Sequence, residues 1–524
     1  METNKKYSLL DEPIISISLH EGGSRSVSLP ELFPLLQNNQ VLGFEKLQLH
    51  QQQAWYSFLV QLGAMAVSRE TNGNIPDNSE TWKEALLGLS GGLEEAWHLV
   101  VEDVSKPAFM QPPVPEGSLD KAAYKPDIST PDELDMLVTS KNHDLKSSRI
   151  LHPRIEHWLF SLITLQTMEG FLGQGNYGIV RMNGGFGNRP LVGFAPDFSW
   201  GNRVMRDLNV LVRNRNHFTE MYSEDGIPLL WLKPWNGSMD DSLPLYKCDP
   251  YFIEICRRIR FRISNGREIL CLKTNTKAAR IYSAEDLKGR TGDPWTPINK
   301  SDAKALTPGA SGFTYEILQQ LLLGEDYDAP ITMKFQREEN SGMLLTTQAL
   351  VRGQGKTDGL HIRMIPVPSR VFRLFQDANE KQKLADRASL RVKETHDMQN
   401  RVLKPALGMI LYSGEGQNID YKNLGPKVRP WLDSFDKAID RLFFESLWES
   451  VDQSTEQAKR NWQQLLYREA KKLLEEAERS ISMSQIRRWK AISQARDLFY
   501  GSIRKHFPGI LQQKTTSDKT EETL

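Results

Sequence analysis

The sequence predicts an α+β protein in which a large mixed N-terminal domain, with irregular sheets and long loops, precedes a C-terminal antiparallel four-helix bundle. Up to about residue 375, short apolar runs alternate with Gly, Pro and Asn, a pattern typical of strands joined by turns and loops. Beyond that point the chain is charged and poor in glycine, and its apolar residues recur at helical spacing. We therefore expect one domain at residues 1–375 and a second at 376–524.

The elements of the first domain follow from local patterns. The β-branched run at 14–19 predicts a strand. Residues 47–69 predict a helix, because Trp55, Phe58 and Leu62 fall on one face at helical spacing. The same reasoning predicts a further helix at 155–171 and further strands at 259–264, 269–272 and 361–367.

The bundle is predicted from three regular apolar stripes and one irregular segment. The irregular segment runs from about residue 379 to 411, and Pro405 predicts a kink in it because proline removes a helical hydrogen bond. Four amphipathic helices can enclose one shared apolar core. The stripes are Leu432, Phe435, Ile439, Leu442 and Leu447, then Trp462, Leu466, Ala470, Leu473 and Ala477, then Ile486, Trp489, Ile492, Phe499 and Ile503.

Composition narrows the class of protein. The 524 residues are 39% hydrophobic and 25% charged, the ordinary globular range. Lys+Arg and Asp+Glu both number 66, which argues against a polybasic protein but allows a local basic patch that binds nucleic acid. The three cysteines are too few for a disulfide framework. Because the start of the chain lacks a signal-peptide pattern and no run is long enough to span a bilayer, we expect a soluble, cytoplasmic protein.

Two glycine motifs raise the alternative of a nucleotide-dependent enzyme. Residues 173–178 spell G-x-G-x-x-G, but a dinucleotide site needs a strand before this motif and a helix after it. Here a helical pattern precedes the motif and the strand-like run at 179–182 follows it. Residues 353–357 resemble the end of a P-loop, yet Leu350 occupies the position of the required first glycine, and strand-like residues follow. The patterns favour a turn in both places.

Metal and nucleophile patterns are weaker still. His152 and His157 are five residues apart, whereas a zinc pair on one helix face is four apart. Cys248 and Cys256 lack a C-x-x-C partner, and no nucleophile elbow occurs. We expect no metal, no cofactor and no enzymatic activity.

Three loop segments rich in glycine or in hydrogen-bond donors remain as candidate nucleic-acid contacts. Glycine lets a backbone approach a partner closely, and the polar side chains suit phosphates or a groove. Each segment also fits a plain surface loop or hairpin end. The residues are Lys141, Asn142, His143 and Lys146; then Asn183, Gly184, Gly185, Phe186, Asn188 and Arg189; then Arg352, Gly353, Gln354, Gly355, Lys356 and Thr357. In the bundle, residues 487–505 contain a single acid, Asp497, and form a candidate phosphate-facing stripe.

Taken in order, several segments resemble the CasA family, the large subunit of the type I-E CRISPR Cascade complex. They span nearly the whole chain and are followed by the predicted bundle. These segments are FMQP at 109–112, LVTSKNHDLKSSRI at 137–150, NGGFGNRPLVGF at 183–194, SWGNRVMRDLNVLV at 199–212, LLWLKPW at 229–235, GDPWTP at 292–297 and LVRGQGKTDGLHIR at 350–363.

The resemblance implies an RNA-guided antiviral role. The subunit would read a short flanking motif (PAM) in double-stranded DNA through the minor groove, while CRISPR RNA pairing reads the rest. It would help start strand separation and R-loop formation, and it would be the docking site for a recruited helicase-nuclease that does the cutting. Its other partners would be the backbone, small and guide-end subunits of Cascade.

The resemblance also implies individual residue roles. Gly184, Gly185 and Phe186 match the family's glycine loop at the minor groove. Gln354, with its neighbours, matches the wedge hairpin that enters the duplex beside the PAM. The loop at 141–143 matches a contact with the RNA end and the backbone subunit. Lys277 or Arg280 matches a PAM-contacting cation.

One departure concerns a cysteine cluster that some members carry near residues 248–271, because the spacing here does not support a metal. A further alternative is a structural scaffold without DNA contact. The loop segments that carry glycine and lysine favour DNA contact over this alternative.

Overall fold

The computed structural model divides the chain into two compact units. One comprises Met1–Phe313 and Asp326–Pro366, and the other comprises Thr314–Glu325 and Val367–Leu524. The sequence pattern placed a single boundary near residue 376 and did not indicate the earlier segment that groups with the helical unit. The structure describes residues 6–137, 150, 152–185, 189–218, 220–264, 268–282, 287–336, 339, 341–353, 356–411, 421–480 and 484–510.

The first unit contains small sheets and separate helices, as the sequence predicts. Its helices are α1 (Leu29–Gln37), α2 (Gln52–Glu70), α3 (Ser79–Leu89), α4 (Pro131–Leu134), α5 (Ile155–Met168) and α6 (Trp200–Arg213). Its strands are β1 (Ile15–Leu19), β2 (Ser24–Val27), β3 (Val41–Phe44), β4 (Lys125–Ile128), β5 (Leu191–Ala195), β6 (Ile227–Leu229), β7 (Cys248–Ile253), β8 (Arg258–Ser264), β9 (Glu268–Thr274), β10 (Ile298–Asn299), β11 (Lys304–Ala305), β12 (Tyr327–Asp328), β13 (Met343–Gly353) and β14 (Lys356–Val367).

The described strands pair into five small sheets. Their orders are β2-β1-β3, β4-β9-β8, β14-β13-β5, β11-β10-β12 and the parallel pair β6-β7. The predicted strand at 179–182 does not form, although its residues are buried. Its backbone finds partners other than a neighbouring strand, because the Ile179 amide donates to the Glu169 carbonyl and the Val180 amide donates to the Glu254 carboxylate.

Helix α2 forms the centre of the first core. All of its residues from Gln53 to Val67 are buried, so the helix is enclosed on every side. Helix α5 packs against it and is also buried along nearly its whole length. The buried glutamines of α2 bond to neighbouring chain segments: Gln53 donates to the Arg189 carbonyl at 2.7 Å, and Gln61 donates to the carbonyls of Tyr251 and Phe252 at 3.1 Å.

The second unit is the predicted helical bundle. The segment that the sequence analysis found irregular, at about 379–411, begins as a regular helix. It widens into a π-helical turn at Met398–Leu403 and continues as a regular helix from Lys404. This irregular turn immediately precedes Pro405, where the sequence predicts a kink. The helices are α7 (Tyr315–Leu323), α8 (Ser369–Leu374), α9 (Ala378–Asp397), α10 (Lys404–Leu411), α11 (Tyr421–Glu449), α12 (Thr455–Ser480) and α13 (Gln485–His506).

The bundle core follows two of the predicted stripes closely and the third only in part. Phe435, Trp462 and Leu466 are buried as expected. On α13, however, Ile486 is 86% exposed and Trp489 is 73% exposed. The buried face of α13 is instead a row spaced by four residues: Ala491, Ala495, Phe499 and Ile503. At 3.6 residues per turn, Ile486 and Trp489 lie well away from this row.

Within the described ranges, none of the helices combines the length and apolar character needed to cross a bilayer.

Candidate nucleic-acid interface

The glycine loop begins at Asn183 and exposes its backbone. Gly184 and Gly185 have φ angles of 64° and 75°, in the left-handed region that favours glycine. Both are exposed, and a Cβ added at either position would meet nothing within 4 Å. The loop therefore presents open backbone, which side chains from elsewhere in the described chain do not cover. Phe186 and Asn188 lie outside the described residues.

Two buried arginines hold the ends of this loop, which corrects the prediction for Arg189. Arg189 is only 4% exposed, and its guanidinium contacts the Asp293 carboxylate at 2.6 Å. Arg181, at the other end, lies 3.6 Å from the same carboxylate. Burial lowers the pKa of Arg189, although Asp293 partly opposes the shift. Because its charge is used inside the fold, Arg189 anchors the loop and offers no donor to a partner at the surface.

A buried acid lies beside this pair. Burial raises the pKa of Glu254 to about 7, although Arg181 acts in the opposite direction. The Val180 amide donates to its carboxylate at 3.1 Å. The loop is thus supported by a network of ionisable groups that are all buried: Arg181, Arg189, Asp293 and Glu254.

The second predicted contact lies on a β-hairpin. Strands β13 and β14 are neighbours, with β13 buried along nearly its whole length and β14 half-exposed. Gly353 ends one strand and Lys356 begins the other. The Lys356 ammonium is about half-exposed and contacts the Asp358 carboxylate at 2.6 Å, and Thr357 is half-buried. The two residues between the strands, Gln354 and Gly355, lie outside the described residues.

Arg352 does not face outward as the sequence suggests. Its side chain and that of Glu169 are each 3% exposed, and the guanidinium contacts the carboxylate at 2.6 Å. A buried arginine must be paired, because an isolated charge is costly away from water. Arg352 therefore fixes the hairpin close to its turn, and the prediction that it contacts DNA is corrected.

The two proposed PAM-contacting cations have different environments. Lys277 is exposed. Arg280 is 2% exposed, its guanidinium lies 5.4 Å from the Trp235 ring centre, and burial lowers its pKa to about 10. Its two terminal nitrogens donate to four backbone carbonyls, those of Leu230, Lys233, Pro234 and Asp241. Arg280 is thus part of the core, and of these two residues only Lys277 has an exposed side chain.

The loop at 169–178 contacts the glycine loop, the β13–β14 hairpin and the segment beside Lys277. The sequence did not indicate this connection. The Phe171 amide donates to the Gly185 carbonyl at 2.6 Å. The Gly175 carbonyl accepts from the Thr276 amide at 3.1 Å, next to Lys277. At the start of the loop, Glu169 holds the hairpin next to its turn through Arg352. The sequence contained one signal for Glu169, since it is a charged residue directly after the apolar run that forms α5.

The remaining loop, with Lys141, Asn142, His143 and Lys146, lies outside the described residues. The described chain ends at Leu137 before it, and the Ile150 amide beyond it donates to the Asp132 carboxylate at 2.8 Å.

Neither glycine motif has the setting of a nucleotide site. Helix α5 precedes residues 173–178, and the described residues that follow contain no helix before α6. The strand β14 follows Gly353, where a P-loop would begin a helix. Burial also raises the pKa of Cys248 and of Cys256 to about 12, so both thiols are protonated near neutral pH. Among the described residues, no three His, Cys, Asp or Glu side chains converge on a metal site.

The bundle carries its own basic surface on α13. Arg487, Lys490 and Arg504 are exposed, whereas Arg496 is paired with Glu478 at 2.7 Å. The exposed Trp489 lies within this segment.

Exposed glycine backbone and exposed lysines are the features by which proteins approach nucleic-acid backbones and grooves.

Comparison with solved structures identifies the fold. Over 98% of its length the chain is similar to all of Thermobifida fusca Cse1, with a TM-score of 0.64 and 14% identity. It is similar over 96% of its length to all of Thermus thermophilus CasA, with a TM-score of 0.61 and 14% identity. It is also similar over 95% to a whole chain of a CRISPR RNA-guided surveillance complex, with a TM-score of 0.59 and 12% identity.

The protein therefore has the Cse1/CasA fold, as the sequence resemblance predicts. No family model matches the sequence. No curated protein matches it either.

Proposed function

We propose that this protein is the large subunit of a type I-E CRISPR Cascade complex, and that it recognises the PAM in double-stranded DNA. The observation that carries the proposal is the exposed glycine pair Gly184–Gly185 within a chain that shares the Cse1/CasA fold from end to end. In this proposal the partners are CRISPR RNA, the other Cascade subunits and the target duplex. The protein has no catalytic role, and a recruited helicase-nuclease docks on it.

The glycine loop suits the minor groove. That groove is about 6 Å wide and presents a degenerate set of acceptors and a single donor. A side chain at either glycine would hold the backbone away from the base edges, whereas the bare backbone can enter. Because the code is degenerate, we expect the protein to accept several related PAM sequences.

The hairpin suits strand separation. Its tip lies between Gly353 and Lys356, beyond strands that β5 and the core hold on one side. Unstacking a base step costs a few kcal/mol, which new contacts and then guide pairing offset. The buried pair Glu169–Arg352 fixes the end of strand β13, so the strand keeps its position while the bases are separated.

The proposed cations Lys277 and Lys356 can be tested through the salt dependence of target capture. Removing one phosphate contact should reduce the slope of log K against log salt by about 0.9. We expect Lys277→Ala and Lys356→Ala to reduce the slope in the reconstituted guide complex. Lys83→Ala is the matched control, because Lys83 is also a partly exposed lysine paired with an acid, Asp11, at 2.8 Å.

The titration uses duplex targets with and without the PAM. The proposal predicts weaker capture of the PAM target for both variants and no change for Lys83→Ala. Equal slopes for all four proteins would contradict the assigned contacts. Loss of capture without any difference between PAM and non-PAM targets would contradict PAM recognition.

A further inference from the structure

The loop that joins the three regions carries two exposed apolar side chains. Phe171 is 40% exposed and Leu172 is 43% exposed. They are consecutive in the sequence, and the Phe171 amide is bonded to Gly185. The two side chains therefore form a small apolar surface next to the exposed glycine loop.

The loop holds this pair in a defined place. Its own backbone closes on itself, since the Leu172 amide donates to the Asn176 carbonyl and the Asn176 amide donates to the Gly173 carbonyl, both at 3.0 Å. The Phe171 ring also packs against Tyr177, with ring centres 5.7 Å apart. The pair is therefore positioned before any partner binds, which lowers the entropy lost on binding.

Three anchors fix the loop to the rest of the site. Arg257 donates to the Gly170 carbonyl at 2.9 Å, and Glu169 is paired with Arg352. At the far end Gly175, with a φ of 89°, packs so closely that a Cβ there would lie 3.0 Å from Asn275. This glycine is required both by its conformation and by the close contact.

We propose that Phe171 and Leu172 are a further contact with the target DNA, packing against sugar and base edges in the minor groove beside Gly184–Gly185. This inference rests on the proposed function. Apolar side chains placed at the minor groove are a common means of gripping and bending a duplex. The commitment to DNA follows from the bond to Gly185, because a duplex that reaches the glycine loop also reaches the residue bonded to it.

The test replaces the pair with Phe171→Ser/Leu172→Ser in the reconstituted guide complex. Both side chains are exposed, so the fold and the melting temperature should be retained. The control is Leu93→Ser/Phe198→Ser, whose side chains are 44% and 67% exposed elsewhere on the same unit. A second variant, Phe171→Tyr/Leu172→Met, keeps the apolar area.

Capture of the PAM duplex should weaken about tenfold for the serine variant, as expected from leaving this apolar area in water. The salt slope should not change, because the substitution removes no ionic contact. The control and the Tyr/Met variant should bind like the wild type.

Wild-type affinity for the serine variant would overturn the inference while leaving the proposed function intact. Failure of the serine variant to enter the complex would also overturn it, because the pair would then contact another subunit. If the wild-type complex shows no PAM dependence, the proposed function itself fails.

Discussion

The buried pair Glu169–Arg352 gives a prediction whose magnitude can be worked from the structure. Each side chain is 3% exposed, and the two groups are 2.6 Å apart. Removing one partner of such a pair leaves an uncompensated buried charge and costs about 3–5 kcal/mol. We therefore expect Glu169→Ala to destabilise the first unit by this amount.

The corresponding change in melting temperature follows from the size of the unit. The first unit has about 350 residues, and at about 2.1 cal/mol/K per residue its entropy of unfolding makes 1 kcal/mol worth about 1.4 °C. The single variants Glu169→Ala and Arg352→Ala should thus melt about 4–7 °C below the wild type in calorimetry of the full chain. The double variant Glu169→Gln/Arg352→Met removes both charges and should recover most of the loss.

The refuting result is specific. If Arg352→Ala melts within about 1 °C of the wild type but lowers the salt slope of DNA capture, then Arg352 is a DNA contact and not an anchor. Such an outcome would restore the role that the sequence suggested for this residue.

Two further predictions concern the cores of the two units. The pKa of Glu254 is about 7, against an ordinary 4.5, so the folded state holds a proton that the unfolded state releases between these values. The free energy of unfolding of the wild type, relative to that of Glu254→Gln, should therefore fall by about 3 kcal/mol as pH rises from about 4.5 to about 7, and stay level above that. Denaturant unfolding of both proteins across this pH range tests the prediction. A relative free energy that does not change with pH would contradict it. Trp462 is fully buried, and its indole donates to the Arg391 carbonyl, so Trp462→Ala should destabilise the bundle by about 3–5 kcal/mol in denaturant unfolding; a loss below about 1 kcal/mol would contradict this placement.

The parts of the fold with regular periodicity were predictable from the sequence. Helices α2 and α5 and strand β8 lie close to their predicted positions, because burial on one or all faces leaves a readable apolar pattern. The strand predicted at 179–182 was wrong, because the residues of this run are buried without pairing with a neighbouring strand. On α13 the predicted stripe mixed two faces, and alanines at 491 and 495 carry the buried row that larger residues were expected to form.

The candidate site was less predictable, because a basic residue in a loop does not reveal where its charge is used. Arg189, Arg280 and Arg352 have the residue type expected of a phosphate contact, yet each is buried against an acid or against carbonyl groups. Their partners lie 39 to 183 residues away in the sequence, so only the fold shows them. The exposed glycines were easier to identify, since a glycine pair in a loop indicates an unusual backbone conformation directly.

Discrimination between PAM and non-PAM duplexes by the reconstituted complex, with Gly184→Ala/Gly185→Ala, tests the central claim most directly. The matched control is Gly91→Ala/Gly92→Ala, because these glycines are also exposed, have φ angles of 64° and 82°, and have nothing within 4 Å of an added Cβ. Both double variants carry the same backbone strain. The account predicts that the variant at 184–185 loses PAM discrimination while the control keeps it. Equal discrimination by both variants and the wild type would contradict it.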